Sequence, residues 1–148
     1  GLDGEGDDRD AREREPRPGE ELARLAGVDR RVLLHFAPKT LLPLLAESDL
    51  VICAGGVTAS EAAAIGTPAL ILVQAKNQRL AAEEFDVRGV AVNLGWGDEA
   101  GEGDIANAVT ALARDVERRR RMGDAGRAIF DGCGPARCLD AIEERLNS

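Results

Sequence analysis

Tyrosine is absent from this 148-residue chain, aromatic residues make up only 3% of it, and there is one histidine. A core must therefore be built from Leu, Val, Ile and Ala, and chemistry needing a histidine pair is excluded. No apolar run approaches the 18 residues that a lipid-spanning helix requires, so no transmembrane segment is expected. No basic start leading into an apolar stretch suggests a secretion signal, which favours the cytoplasm. Gly1 at the start points to a processed or cut N-terminus. The three cysteines, Cys53, Cys133 and Cys138, have no zinc-like spacing, and no close His/Cys/Asp cluster suggests a metal centre. Cys133 and Cys138 could face each other across a turn, but reduced thiols are the expectation.

What is present is acidic. A net charge of −8 argues against broad binding to nucleic acid or anionic membrane. It does not exclude a small anion, which a few local N–H groups can hold. Residues 1–21 carry nine acids, four arginines, two prolines and four glycines, a composition that suits a mobile arm or a long surface loop ahead of a domain over 22–148. The run Arg118–Arg121 lies among acids and is expected to be a solvated helix face.

Hydrophobic patterning gives the elements. A short helix over 22–27, a strand over Arg31–Phe36 and a helix over Pro38–Ala46 come first, with Pro43 tolerated only in a first turn. Strands are expected at Leu50–Ala54, Ala69–Val73 and Val90–Leu94, with helices at Thr58–Ile65 and Asn77–Val87 between them. Gly95–Gly103 reads as flexible, 104–115 as amphipathic helix, and Pro135–Leu146 as a helix turning Leu139, Ile142 and Leu146 inward. Alternating strands and helices predict an α/β fold, a parallel sheet of four strands with helices on both faces.

The passage Asp49-Leu-Val-Ile-Cys-Ala-Gly-Gly-Val-Thr-Ala-Ser-Glu61 carries the functional signal. A strand runs into two glycines and then a helix, which can turn backbone N–H groups and a positive helix end toward a phosphate. Gly55 and Gly56 can take backbone angles closed to other residues and let a ligand approach. A purely structural reading is equally available: Thr58 as N-cap and Glu61 completing a capping box would make this simply a well-capped helix. The order is neither a Gly-x-Gly-x-x-Gly fingerprint nor a Walker loop. Ser60 lacks any sign of a base, Cys53 reads as core, and His35 reads as packing or as a strand-end group.

Ser48–Pro68, Asn77-Gln78 and Asp131-Gly-Cys-Gly-Pro-Ala-Arg137, taken in order, resemble the C-terminal nucleotide-sugar-binding half of the GT-B superfamily. Within it they are most similar to the UDP-sugar hydrolase of pseudaminic acid biosynthesis and the related spore-coat polysaccharide proteins. The resemblance spans roughly residues 31–146. It implies a Rossmann-like domain in which Gly55, Gly56 and Thr58 approach a diphosphate and Glu61 accepts hydrogen bonds from ribose. Asn77 and Gln78 would then face the sugar or its phosphate. Asn77 capping its own helix, a solvent-facing Gln78, and a local turn and ion pair for Asp131 and Arg137 remain the alternatives.

The resemblance implies UDP or a UDP-sugar as partner, no cofactor and no metal, with water attacking the anomeric carbon to release UDP. In those hydrolases the catalytic histidine belongs to the N-terminal domain, so His35 does not inherit the role and the catalytic residues of this chain are unknown. A missing N-terminal half or a completing protein partner is implied. Glycosyl transfer to an acceptor and non-catalytic binding are the alternatives.

Overall fold

The computed structural model describes residues 18–147, which fall into two compact units divided between Lys39 and Thr40. The expected mobile arm over 1–21 lies mostly outside the described residues. From Pro18 onward the chain is helical, as α1 (Pro18–Val28), longer than the helix expected over 22–27.

The rest of the first unit departs from expectation. Arg31–Phe36 forms no strand: Asp29 accepts from the Arg31 backbone N–H and pairs with the Arg31 guanidinium at 2.7 Å, closing a turn at the segment's start. Leu33 and Phe36 are 78% and 79% exposed. An apolar segment becomes a strand only when a ladder partner accepts it, and none does among the described residues. His35 is accordingly exposed, neither packed nor at a strand end.

In the second unit three strands, β1 (Val51–Ala54), β2 (Ala69–Val73) and β3 (Ala91–Trp96), form a parallel sheet in the order β1-β2-β3. Three strands, not four, are present among the described residues. Helices α2 (Leu42–Glu47), α3 (Val57–Ile65), α4 (Arg79–Val87), α5 (Glu102–Arg114), α6 (Val116–Ile129) and α7 (Gly134–Leu146) complete the unit. A 3-10 turn, Lys76–Gln78, leads into α4. Helix α2 starts later than expected, with Pro43 in its first turn, where a missing N–H costs nothing.

Strand alternation divides the core in two. Val51, Cys53, Ala69, Ile71, Val73 and Ala91 pack against Ala59 of α3 and Ala82 and Phe85 of α4. Leu50, Leu70, Val92 and Leu94 pack against Ala108, Val109 and Leu112 of α5 and Met122 of α6. This is the sheet with helices on both faces that the alternation predicted, a small mixed α/β domain of Rossmann-like form. The segment read as flexible from Gly95 still belongs to β3. There the register slips, so that Val73 faces Trp96 although Ile71 faces Asn93, with Gly95 at φ +82°. The extra residue swings Trp96 onto the α4 side of the sheet.

Helix α3 is held without large side chains. Gly66 ends it at φ +90°, and the N–H of Thr67 donates to Ala62 O at 2.8 Å, satisfying the last turn. Arg127 of α6 donates to Ile65 O at 3.1 Å. Gly123 and Gly126 bring the α6 backbone directly onto α3: a Cβ at either would lie 2.5 Å from Gly66 O or Ala63 O. Thr67, buried, donates through Oγ1 to Leu45 O at 2.7 Å and fastens α2 to the start of β2.

One expectation about helices holds except at one residue, and another fails. Arg119 is not part of a solvated face: its Nη1 donates to Leu112 O at 2.6 Å and Ala113 O at 2.8 Å, closing the end of α5. Its neighbours Arg118, Arg120 and Arg121 are exposed. On α7, Leu139, Ile142 and Leu146 are 60%, 55% and 80% exposed rather than inward. Periodicity marks a face able to be buried, and no element among the described residues covers this one. No described helix is long and apolar enough to cross a membrane.

Candidate functional site

All three strands point their carboxyl ends at one edge of the sheet, where parallel α/β folds gather ligands. At that edge β1 runs into Gly55-Gly56, β2 into Gln74 and the Lys76–Gln78 turn, and β3 into Gly97.

Gly55 is needed for space. A Cβ there would sit 3.2 Å from Ile71 Cγ2 and 3.3 Å from both Cβ and O of Gln78. Neither glycine adopts a left-handed angle, contrary to expectation; positive φ falls at Gly66, Gly89, Gly95 and Gly132. The fold thus sets Gln78 directly against the double-glycine turn, across 22 intervening residues. Gln78 is not solvent-facing: its Oε1 accepts from Gln74 N–H at 3.0 Å, and its Nε2 is 3.8 Å from where a Gly56 side chain would begin.

The start of α3 differs from the capping-box reading. Gly56, not Thr58, is the N-cap, and no side chain caps the helix. The helix starts one residue early because Val57 continues directly from the glycine turn, which places Thr58 inside the first turn and removes it as a cap. The Ala59 N–H is satisfied by Gly56 O at 3.1 Å, whereas the N–H groups of Val57 and Thr58 receive no side-chain acceptor. Val57 is 75% exposed, so this helix end is neither buried nor occupied. Thr58 and Glu61, three apart and therefore on one face, are half-buried, with no side-chain hydrogen-bond partner among the described residues. Asn77 does not cap α4; it sits exposed in the 3-10 turn.

Three residues at this edge were not singled out from the sequence. Gln74 follows β2 and lies over Gly97, where a Cβ would fall 2.0 Å from Gln74 Nε2. Gly97 N–H donates to Val73 O at 2.9 Å, tying the ends of β2 and β3 together. Lys76 is an exposed cation in the same turn as Asn77 and Gln78. Their signal was positional: each immediately follows a strand, and only the true strand ends reveal it.

Asp131 and Arg137 belong to the α6–α7 connection. They form an ion pair at 2.7 Å, and Asp131 also accepts from Cys133 N–H at 2.9 Å, around Gly132 at φ +76°. The Arg137 guanidinium, followed by the Cys133 N–H, holds the Asp131 carboxyl down at about 2. Because the folded value lies below the unfolded one, the pair's contribution is complete above the ordinary carboxylate range near about 4 and disappears as pH falls through about 2. Asp131→Asn is expected to lower stability at neutral pH by a small amount, since the pair is exposed, and to remove the equally small loss that acid causes in the parent. Carboxyl NMR titration checks the assignment.

All three cysteines are free; Cys133 and Cys138 are exposed, and burial pushes the Cys53 thiol up, away from reactivity. No group of three metal-ligating side chains occurs among the described residues.

The chain is similar to the Spore coat polysaccharide biosynthesis protein SpsG of Bacillus subtilis (strain 168). Identity is 29% over 101 residues, covering 68% of this chain and 30% of that protein. This is weak, partial homology, and it indicates a related fold. The chain thus spans less than a third of the relative it matches. No family model matches the chain.

Proposed function

We propose that the carboxyl edge of this sheet binds the diphosphate of a nucleotide sugar, and that the domain is the donor-binding part of a surface-glycan biosynthesis enzyme of GT-B type. One observation carries the reading: the uncapped start of α3 opens beside Gln78 at the end of β1. Two free N–H groups and the helix dipole answer a polyanion there. Weak homology to a protein named for polysaccharide biosynthesis supports the sugar side of the proposal.

On this reading Gly55, Gly56 and Thr58 meet the diphosphate through backbone N–H groups and one hydroxyl. Glu61, one turn along α3 on the same face as Thr58, accepts from ribose hydroxyls. Asn77 is the amide free to meet the sugar, while Gln78 presents Nε2 and keeps its Oε1 on Gln74. UDP is the proposed nucleotide, and hydrolysis of a UDP-amino sugar the proposed reaction of the complete enzyme. Water and a proton-transfer group would be supplied by a second domain or a partner protein. The cavities of about 310–430 Å³ elsewhere on the domain take no wall from these residues.

Titration with UDP followed by calorimetry tests the binding claim. Glu61→Gln is expected to weaken UDP about tenfold, the loss of a charge-assisted pair of ribose hydrogen bonds, with an unchanged circular dichroism spectrum. Undiminished affinity in that variant removes Glu61 from the site; no UDP binding by the folded chain removes the site itself.

A further inference from the structure

A second cationic feature lies at the other edge of the sheet, where the strands begin. A cavity of about 420 Å³ opens between the end of α4 and the start of α6, walled by Arg88, Arg118 and Arg121 with Asp86 as its only carboxylate. Met122 and Ala91, 5% and 3% exposed, line it with apolar surface, and Gly89, at φ +68°, turns the chain beside it.

The charges do not cancel. Arg88 is paired with Glu84 one turn back along α4. Asp86 is engaged as an acceptor, its Oδ1 taking the Asn93 N–H at 3.2 Å. Arg118 and Arg121, one turn apart in the first half of α6, have no side-chain partner among the described residues. With Arg88 balanced by Glu84, Arg118 and Arg121 against Asp86 leave the lining at about +1 within a chain of net charge −8. Guanidinium groups match phosphate oxygens two at a time, and the volume suits a small molecule rather than a macromolecular surface.

We propose that this cavity is a binding site for the phosphate dianion, free or carried by a small organic molecule, with Arg118 and Arg121 as its principal contacts. It is independent of the nucleotide-sugar reading and lies on different elements. A bound dianion would give the two unpaired guanidinium groups the partner they otherwise lack among the described residues. Occupancy therefore stabilises the fold, and salt competes with it.

The test uses the whole chain with inorganic phosphate and phenyl phosphate as probes, followed by amide NMR. Both are expected to shift the N–H signals of Gly89, Arg118 and Met122, with weakening as sodium chloride rises. Equal affinities assign the site to free phosphate. Tighter phenyl phosphate assigns it to an organic phosphate whose body rests on Met122 and Ala91. R118Q/R121Q should weaken either probe by more than about tenfold, without lowering the thermal midpoint of the empty protein. Unshifted signals at this cavity in the unmodified chain, shifts confined to Gly55–Thr58, or shifts that survive R118Q/R121Q would each overturn the proposal.

Discussion

Replacing Gly123 and Gly126 together by alanine is expected to cost the second unit most of its stability. Each new Cβ would lie 2.5 Å from a backbone oxygen of the neighbouring helix end, and the one at 126 also 3.0 Å from the Ala63 Cα. Backbone cannot rotate aside as a side chain can, so α6 must move off α3. That separation loosens the hydrogen bond from Arg127 to Ile65 O as well. Overpacking of this kind costs about 3 kcal/mol per site, against about 1 kcal/mol regained because alanine favours helix over glycine. The net loss of about 4 kcal/mol is a large share of an ordinary domain's stability. Urea unfolding of the double variant measures it. Gly103→Ala in α5 is the control: nothing lies within 4 Å of its Cβ, and the substitution is expected to be neutral or stabilising by up to about 1 kcal/mol.

Gly56→Asp is expected to separate folding from binding at the proposed nucleotide site. The position has room, its nearest neighbour being Gln78 Nε2 at 3.8 Å, and its φ of −109° lies on the side ordinary residues use. Aspartate is a good N-cap, so its carboxylate would take the free N–H groups of the first turn and gain a few tenths of a kcal/mol over glycine. The same carboxylate occupies the donors offered to the diphosphate and repels it. UDP affinity should fall by about 100-fold or more while the urea midpoint holds or rises. A variant that binds UDP as well as the parent would show that the diphosphate lies elsewhere.

Much of the fold was legible because β1, β2 and β3 are apolar runs bounded by glycine, proline or charge, and alternation with helices leaves few other arrangements. The bound at Gly66 and Pro68 was plain for the same reason: only a left-handed residue closes α3 there. What was not legible depends on partners. Arg31–Phe36 and the apolar face of α7 carry correct local patterns, yet nothing among the described residues completes them. Local chemistry also misled at Thr58 and Glu61, where a capping-box spacing was present but the helix began one residue too soon to use it. At the candidate site the glycine turn was visible in the sequence, but its meeting with Gln78 was not; the resemblance implied only that Gln78 faces the sugar or its phosphate. Gln74 and Gly97 required the strand ends themselves.

The glycine seam has a further effect on α3. A joint of main chain on main chain has no rotamers through which to yield, so the C-terminal end of α3, at Ala63 and Gly66, cannot drift unless α6 travels with it. Amide hydrogen exchange along α3 should accordingly be slow, with protection set by opening of the whole helix pair. At the proposed diphosphate site, on the opposite end of α3, a helix tethered in this way would present Val57 and Thr58 donors held in place before binding, and little entropy would be lost on capture.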